Sequence, residues 1–174
     1  MRLFVGLLFI GFFSFFTAPE FTDWGGYNGG DNRNHFSPLT QINVSNVKNL
    51  KLAWSYSSGG ADTVNQTTQI QCNPIIIQGV LYGVSAGSQA FALDAKSGRE
   101  IWKTAIQEKT PSMNSRGVAF YSSPGQRSKI FFGYGSYLFA LDAKTGKPVE
   151  NFGQHGKINL LDGIRRPGSD DYTV

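Results

Sequence analysis

The sequence predicts an all-β fold built from repeated units of about four strands, like the blades of a β-propeller. The first observation is an internal repeat. Residues 92–102 read Ala-Leu-Asp-Ala-Lys-Ser-Gly-Arg-Glu-Ile-Trp, and residues 140–150 read Ala-Leu-Asp-Ala-Lys-Thr-Gly-Lys-Pro-Val-Glu. The copies start about 48 residues apart, a period typical of units that bury their apolar face only against a neighbour. The second observation is composition: 21 glycines and 14% aromatic residues suit strands and turns rather than a helical bundle.

Apolar, β-rich runs precede each copy of the repeat. Residues 74–82 lead to a second run at 90–93, and residues 129–134 lead to another at 137–141, with short glycine-bearing turns between them. Such pairs of runs predict hairpins. A further strand at 99–103 brings the first unit to about four strands, the size of one blade.

The end of each hairpin carries the turn chemistry expected of a short connection. Asp94 and Asp142 close a strand, and their carboxylates can accept hydrogen bonds from the N–H groups of the next turn. Gly98 and Gly146 can adopt the positive φ that such a loop requires.

The 174 residues hold two blade-like units and the start of something else, whereas a propeller closes only with several blades. We therefore expect the chain to be incomplete, the N-terminal part of a longer protein with a propeller domain from residue 19 to residue 174.

The segment before the first blade contains three different parts. Residues 23–42 are rich in glycine and asparagine and predict an extended lead-in, which Trp24 and Tyr27 anchor to the body. Residues 43–50 predict a single helical turn. The alternating run at residues 52–56 predicts a strand, in which Trp54 corresponds to Trp102 at the end of a blade.

Residues 1–18 have the outline of a secretory signal peptide. A short positive start precedes an apolar run of about 14 residues, and Thr17-Ala18 supplies small residues for cleavage. Export predicts a periplasmic or secreted protein. The alternative is an uncleaved N-terminal anchor, which would associate the protein with the membrane, although the run is shorter than a spanning helix prefers.

Several functional classes find little support in the sequence. The net charge of +4 comes from scattered residues, so no basic run predicts nucleic-acid binding. The single cysteine, Cys72, excludes an internal disulfide and multi-cysteine metal sites, and we expect it to be a buried residue beside a strand. His35 and His155 are too isolated to form a metal or nucleophile-base site. Three aspartates near the end lack calcium-loop spacing, and surface turns explain them better: Asp162, Asp170 and Asp171.

Motifs along nearly the whole chain after residue 18 resemble one family. They are Trp24-Gly-Gly-Tyr27, Gly30-Asp-Asn-Arg33, Ser37-Pro-Leu-Thr-Gln-Ile42, Asn46-Val-Lys-Asn-Leu50, Ala53-Trp-Ser-Tyr56, Gln71-Cys-Asn-Pro74 and Ser115-Arg-Gly-Val-Ala-Phe-Tyr121. Together with the repeat, they are similar to the opening of the pyrroloquinoline quinone (PQQ)-dependent dehydrogenases.

The resemblance implies an eight-bladed quinoprotein β-propeller that binds PQQ and Ca²⁺ near its axis. It also implies oxidation of a sugar or alcohol CH–OH group, with a quinone or cytochrome as electron acceptor. The family's catalytic aspartate and Ca²⁺ ligands are expected beyond Val174, so this chain carries no predicted catalytic or metal residue and is expected to be inactive alone.

Two candidate cofactor-binding residues follow from the resemblance. Arg116 matches the arginine that contacts PQQ, where a cationic fork suits carboxylates and a quinone oxygen; the alternative is a solvent-exposed arginine at a strand end. Gln71 stands where a glutamate or glutamine meets the cofactor, and its amide can donate and accept hydrogen bonds. The alternative for Gln71 is a loop amide bonded to backbone.

The sequence also departs from its relatives. Glu150 stands where the blade motif has tryptophan, with Phe152 as the expected substitute. Methanol dehydrogenases have two adjacent cysteines shortly before the arginine, but this chain has Thr110-Pro111, which favours the glucose dehydrogenase-like branch. A related propeller that binds protein partners without a cofactor, as an assembly scaffold, is the alternative function.

Overall fold

The computed structural model describes residues 22–30, 32–65, 68–106 and 115–163. Within them the protein is all-β, with two antiparallel sheets of four strands and two short 3₁₀ turns, Tyr27–Gly29 and Val47–Asn49. The predicted fold class is confirmed. The predicted signal peptide, Thr110-Pro111, Asp170 and Asp171 lie outside the described residues. No described helix is long and apolar enough to cross a membrane.

The first sheet has the strand order β1-β2-β3-β4 and the second has the order β5-β6-β7-β8. The strands of the first sheet are β1 (Ile75–Ile77), β2 (Val80–Val84), β3 (Gln89–Asp94) and β4 (Glu100–Ala105). Those of the second are β5 (Ala119–Tyr121), β6 (Lys129–Tyr134), β7 (Tyr137–Asp142) and β8 (Lys157–Asn159). Each sheet is a meander of neighbouring strands, as the repeat predicted for a blade.

The two sheets pack face to face through their alternating apolar residues. The side chains of one face of each strand are buried because successive residues in a strand point to opposite faces. Tyr82 of the first sheet lies 6.2 Å from Phe120 of the second, measured between ring centroids. The shared core includes Ile75, Val84, Ala92, Ile130, Phe132 and Leu141.

The turns after β3 and β7 form as the repeat predicts. The Asp94 carboxylate accepts hydrogen bonds from the Ser97 N–H at 2.8 Å and the Ser97 hydroxyl at 2.6 Å. These bonds lower the pKa of Asp94, chiefly through the hydroxyl. Asp142 accepts the same two bonds from Thr145, at 2.9 and 2.8 Å. The glycine that follows each turn has a φ near +70°.

Trp102 joins the first sheet to the second. Trp102 lies in β4, and its indole Nε1 donates a hydrogen bond to the Ala143 carbonyl at 2.9 Å. Its ring covers Gly146, where a Cβ would lie 2.5 Å from the indole. The Thr104 hydroxyl donates to the Gly146 carbonyl at 2.7 Å. The last strand of the first repeat, β4, is therefore hydrogen-bonded to the turn after β7 in the second repeat.

Trp54 makes the same contact one repeat earlier, as its correspondence to Trp102 predicted. Its Nε1 donates to the Ala95 carbonyl at 3.2 Å, and a Cβ on Gly98 would lie 2.5 Å from its ring. The structure nevertheless assigns no strand to residues 52–56, so the strand predicted there is wrong for the described part of the chain. A strand needs a partner, and neither described sheet includes this segment.

The lead-in segment is anchored by Trp24 but not by Tyr27. Trp24 and Ile76 exchange backbone hydrogen bonds of 2.8 and 3.0 Å, which adds a bridge to the free edge of β1. Tyr27 is 52% exposed, so its predicted anchoring role is wrong. The helical turn predicted within residues 43–50 is confirmed by Val47–Asn49.

The second repeat differs from the first in its last strand. Pro148 makes only an isolated bridge with Leu141, because proline lacks the N–H that a ladder requires. The outer strand, β8, begins instead at Lys157. Phe152, expected to replace the missing tryptophan, packs edge-on against Phe131 of its own sheet, with centroids 5.3 Å apart.

Candidate functional site

Two connecting segments meet where the first strands of the two sheets begin. Residues 70–74 enter β1, and residues 115–118 enter β5. The Asn73 N–H donates a hydrogen bond to the Arg116 carbonyl at 3.1 Å, and Asn73 forms a parallel bridge with Gly117. The structure thus places the segments that carry Gln71 and Arg116 side by side.

Gln71 is a half-buried residue with an unusual hydrogen-bonding state. Its Nε2 donates to the Gln69 Oε1 at 2.9 Å. Its Oε1 is buried and accepts no hydrogen bond from the described residues. A buried acceptor without a donor costs about 1–3 kcal/mol, and such atoms are rare in folded proteins. The Oε1 is thus available to a ligand that donates a hydrogen bond.

Arg116 provides a positive charge on the segment that neighbours the one with Gln71. Its side chain is exposed and makes no hydrogen bond or ion pair with another described residue. The adjacent Ser115 is buried, and its hydroxyl donates to the Gly117 carbonyl at 3.3 Å, which helps to fix the backbone at this point. A rigid backbone with a solvent-facing guanidinium suits the capture of an anionic group.

An open cavity of about 420 Å³ adjoins these segments. It lies between the lead-in and the start of β1 and is lined by Trp24, Asn28, His35, Asn73, Pro74 and Ile76. Asn28 and His35 both have positive φ, and the His35 N–H donates to the Asn28 carbonyl at 3.0 Å. The lead-in therefore forms one wall beside the candidate site.

Sequence reasoning did not single out Asn73, Asn28 or His35 as part of this region. His35 was interpreted as a loop residue, and it is exposed and outside any metal cluster. Among the described residues, no three histidine, cysteine, aspartate or glutamate side chains group as metal ligands. The sequence did contain one signal for Asn73, which is the Asn-Pro pair directly before an apolar run. Proline restricts the residue before it to an extended conformation, so this pair indicates the start of a strand.

Cys72 lies between Gln71 and Asn73, but its surroundings indicate a packing role rather than a chemical one. Its Sγ accepts a hydrogen bond from the Val84 N–H at 3.3 Å, and burial raises the pKa of its thiol. A neutral thiol of this kind is a poor nucleophile. The prediction of a buried residue beside a strand is confirmed in outline, because Cys72 is partly buried.

A larger groove, of about 650 Å³, lies at the opposite end of the second sheet. Its lining combines Arg127, Lys129 and Lys147 with Asp142 and Glu150. Arg127 lies 3.8 Å from the Asp142 carboxylate, but its side chain is 87% exposed. The Asp142 side chain is only 11% exposed, and its carboxylate already accepts hydrogen bonds from Thr145, so this groove offers no unpaired acceptor comparable to Gln71.

Comparison with known proteins identifies the family of the chain. The β-propeller domain described as PQQ glucose/ethanol/alcohol dehydrogenase matches residues 24–174. The fold and the match together define a quinoprotein propeller. The chain belongs to the PQQ-dependent dehydrogenase family, so the resemblance seen in its motifs is confirmed at the level of the family.

Individual relatives carry several different names. The chain is 32% identical over 160 residues to the glycerol dehydrogenase large subunit of Gluconobacter oxydans, covering 84% of this chain and 22% of that protein. It is 33% identical over 155 residues to the quinoprotein glucose dehydrogenase of Escherichia coli, covering 79% and 20%. The quinohemoprotein alcohol dehydrogenase structure from Comamonas testosteroni superposes with a TM-score of 0.66 and 29% identity, covering 82% and 20%.

The chain spans about a fifth of the length of the curated relatives it matches. Glycerol, glucose and butanol dehydrogenases match it with 32%, 33% and 36% identity. These values do not separate the branches, so the glucose dehydrogenase-like branch stays a prediction. The roles of Gln71 and Arg116 also stay predictions.

Proposed function

We propose that this chain is part of a PQQ-dependent dehydrogenase that oxidises a CH–OH group of a sugar or alcohol. Its electrons would pass to a quinone or a cytochrome. Family membership supports the redox chemistry, and the relatives named as glycerol, glucose and alcohol dehydrogenases support the substrate class. Because the chain spans about a fifth of those relatives, we propose that it is inactive alone.

The observation that carries the proposal is the buried Oε1 of Gln71, which lacks a donor among the described residues. PQQ is planar and carries carboxylates, quinone oxygens and a ring N–H. The Gln71 Oε1 can accept a hydrogen bond from a ring N–H or a protonated carboxyl. A ligand of this chemistry would relieve the cost of the unpaired acceptor.

Arg116 would complement Gln71 by binding the anionic part of the cofactor. Its guanidinium can form two parallel hydrogen bonds to a carboxylate or to a quinone oxygen that gains charge. The Asn73 contact keeps the Arg116 backbone next to the segment that carries Gln71. One residue would therefore orient the cofactor and the other would balance its charge.

When bound, PQQ would supply a quinone that accepts a hydride equivalent from the substrate carbon. Among the described residues no three histidine, cysteine, aspartate or glutamate side chains form a group, and we assign none of them to Ca²⁺. Gln71 and Arg116 would bind and orient the cofactor, and we assign no residue of this chain an acid–base role.

We further propose that residues 1–18 are removed as a signal peptide, that residues 19–174 belong to the propeller domain, and that the protein works in the periplasm or outside the cell. The apolar start of the sequence supports export. The glucose dehydrogenase-like branch is proposed on the strength of Thr110-Pro111 in place of the paired cysteines.

Equilibrium PQQ binding by the full-length gene product tests the proposal. We expect the wild type to bind PQQ in the presence of Ca²⁺ and to support dye-linked oxidation of a sugar or alcohol. Arg116→Ala should weaken binding by about tenfold or more, since a charge-assisted hydrogen bond contributes about 1.5–3 kcal/mol. Arg127→Ala removes an exposed arginine from the other end of the sheet and should leave binding unchanged.

Unchanged binding in Arg116→Ala would contradict the assignment of that residue. Absence of PQQ binding by the wild type would overturn the proposed function as a whole. That second result would favour the alternative, a propeller of the same family that acts as a protein-binding scaffold.

A further inference from the structure

We infer that Asn73 is a positioning residue, which holds Arg116 in register with Gln71 so that both reach one cofactor. The inference rests on the proposed function for the role of Arg116, but the clamp that Asn73 forms is a property of the protein without a cofactor.

Asn73 contacts Arg116 twice, through different parts of the residue. Its backbone N–H donates to the Arg116 carbonyl at 3.1 Å, and its side-chain Nδ2 donates to the same oxygen at 3.3 Å. A carbonyl oxygen has two lone pairs, so both bonds can form together. The residues are 43 positions apart and precede the first strands of different sheets, so this contact links the entries to the two sheets at the candidate site.

Asn73 is itself held firmly, as a clamp requires. Pro74 restricts the preceding residue to an extended conformation. Ile75, the next residue and the first of β1, is fully buried in the core. Arg116 has no comparable anchor in its own side chain, which is exposed. We therefore infer that Asn73, through its two hydrogen bonds, positions the backbone of Arg116 relative to Gln71, which lies two residues before Asn73.

The clamp formed by Asn73 borders an open cavity at the start of β1. Asn73 lines the open cavity together with Trp24 and His35. The Trp24 backbone is bridged to Ile76, so the lead-in supports the same strand start. A change at Asn73 is expected to act locally on this corner, since the sheet ladders do not include its side chain.

Hydrogen exchange of the cofactor-free, full-length protein tests the clamp. Asn73→Ala removes the Nδ2 donor and should speed exchange in the peptide covering residues 115–121 by about fivefold or more. The exchange of β6 and β7 should not change. Asn159→Ala is the matched control, because Asn159 Nδ2 also donates a hydrogen bond, to Asp162 at 2.8 Å, at the end of β8, the strand on the opposite edge of the sheet from β5.

A titration with PQQ then tests the functional role. Asn73→Ala should raise the dissociation constant about fivefold to tenfold, as expected for the loss of one hydrogen bond. Asn73→Asp keeps the shape of the side chain, but an ionised carboxylate cannot donate to the Arg116 carbonyl. Its affinity relative to the wild type should recover as the pH falls towards about 4, where a protonated carboxyl becomes a donor. A purely steric role for Asn73 predicts no such recovery.

The outcomes are distinct. Unchanged hydrogen exchange at residues 115–121 in Asn73→Ala would overturn the clamp, whether or not the protein binds PQQ. Faster exchange with an unchanged PQQ dissociation constant would overturn the positioning role. If the wild type bound no PQQ, the proposed function and the cofactor role of Asn73 would both be wrong, while exchange would still decide the clamp.

Discussion

At the scale of single residues, Gln71 shows how a hydrogen-bond inventory can point to a ligand. The glutamine was predicted to contact the cofactor, with an ordinary loop amide bonded to backbone as the alternative. Its Nε2 bonds to a side chain, Gln69, and its Oε1 is buried without a described donor. That state does not match the alternative, and it supports a ligand role without testing it.

Tyr56 illustrates a residue whose electrostatics belong to packing rather than to the site. Its hydroxyl donates to the Glu100 carboxylate at 2.6 Å, and its ring lies 5.2 Å from that of Phe91. Burial, followed by the hydrogen bond and charge of Glu100, raises the pKa of Tyr56 to about 12. The bond fastens the segment after Trp54 to β4.

We predict that this tyrosine stabilises the fold only while it is neutral. The folded pKa is above the usual value of 10.0, so an unfolded chain loses the proton first as the pH rises. The contribution should be fully present below about pH 10 and lost between about pH 10 and 12. Ultraviolet difference titration of wild type against Tyr56→Phe should show a phenol that ionises near pH 12. In Glu100→Gln its pKa should fall only in part, because burial still raises it, and an unchanged titration would contradict the contribution of Glu100.

At the scale of elements, one contact occurs in both repeats: a tryptophan packs on the glycine of the turn after β3 or β7. Trp54 and Trp102 each cover a glycine and donate to a carbonyl of the same turn. The indole ring packs on the glycine because glycine has no Cβ, and the indole N–H donates to a backbone carbonyl of the same turn. The repeat therefore encodes the contact between blades as well as the blade itself.

We predict that Gly146→Ala destabilises the protein by about 2 kcal/mol or more. The new Cβ would lie 2.5 Å from Trp102, and the backbone φ of +70° is unfavourable for alanine. Gly125→Ala is the control, because Gly125 has φ +74° but no atom within 4 Å of its Cβ. It carries the backbone cost alone, about 1 kcal/mol.

Urea denaturation curves of the two variants measure the difference in the free energy of unfolding. Equal losses in Gly146→Ala and Gly125→Ala would show that the indole contact contributes nothing.

The elements that could be predicted from the sequence are those fixed by local chemistry. The turns at Asp94 and Asp142 depend on residues three or four positions apart, and they formed as predicted. The strand at 52–56 and the outer strand of the second repeat were not predictable in this way. The first depends on a partner for pairing, and the second was shifted by Pro148 to Lys157–Asn159.

The candidate site was harder to predict, for a physical reason. Residue types suggested Gln71 and Arg116, but only through resemblance to a family. Asn73 could not be identified, because its role depends on a contact with a residue 43 positions away. Non-local contacts of this kind follow from how two sheets pack, and no spacing in the sequence records them.

At the scale of the whole molecule, each sheet has two chemically different ends. The start of β5, with Arg116, lies at the end of the sheet where β6 turns into β7, and the Asp142 turn lies at the other end. The first end combines an unpaired acceptor, an exposed cation and an adjoining cavity. The other end carries charges of both signs, from three basic and two acidic side chains, and its Asp142 carboxylate already accepts hydrogen bonds from Thr145. This difference favours the first end for the cofactor.

The most direct test of that claim is an experimental structure of the full-length gene product with PQQ and Ca²⁺. We predict density for the planar cofactor at the start of β1 and β5, within hydrogen-bond distance of the Gln71 Oε1 and the Arg116 guanidinium. Cofactor density elsewhere, with the Gln71 Oε1 paired to a protein donor and Arg116 in solvent, would contradict the account.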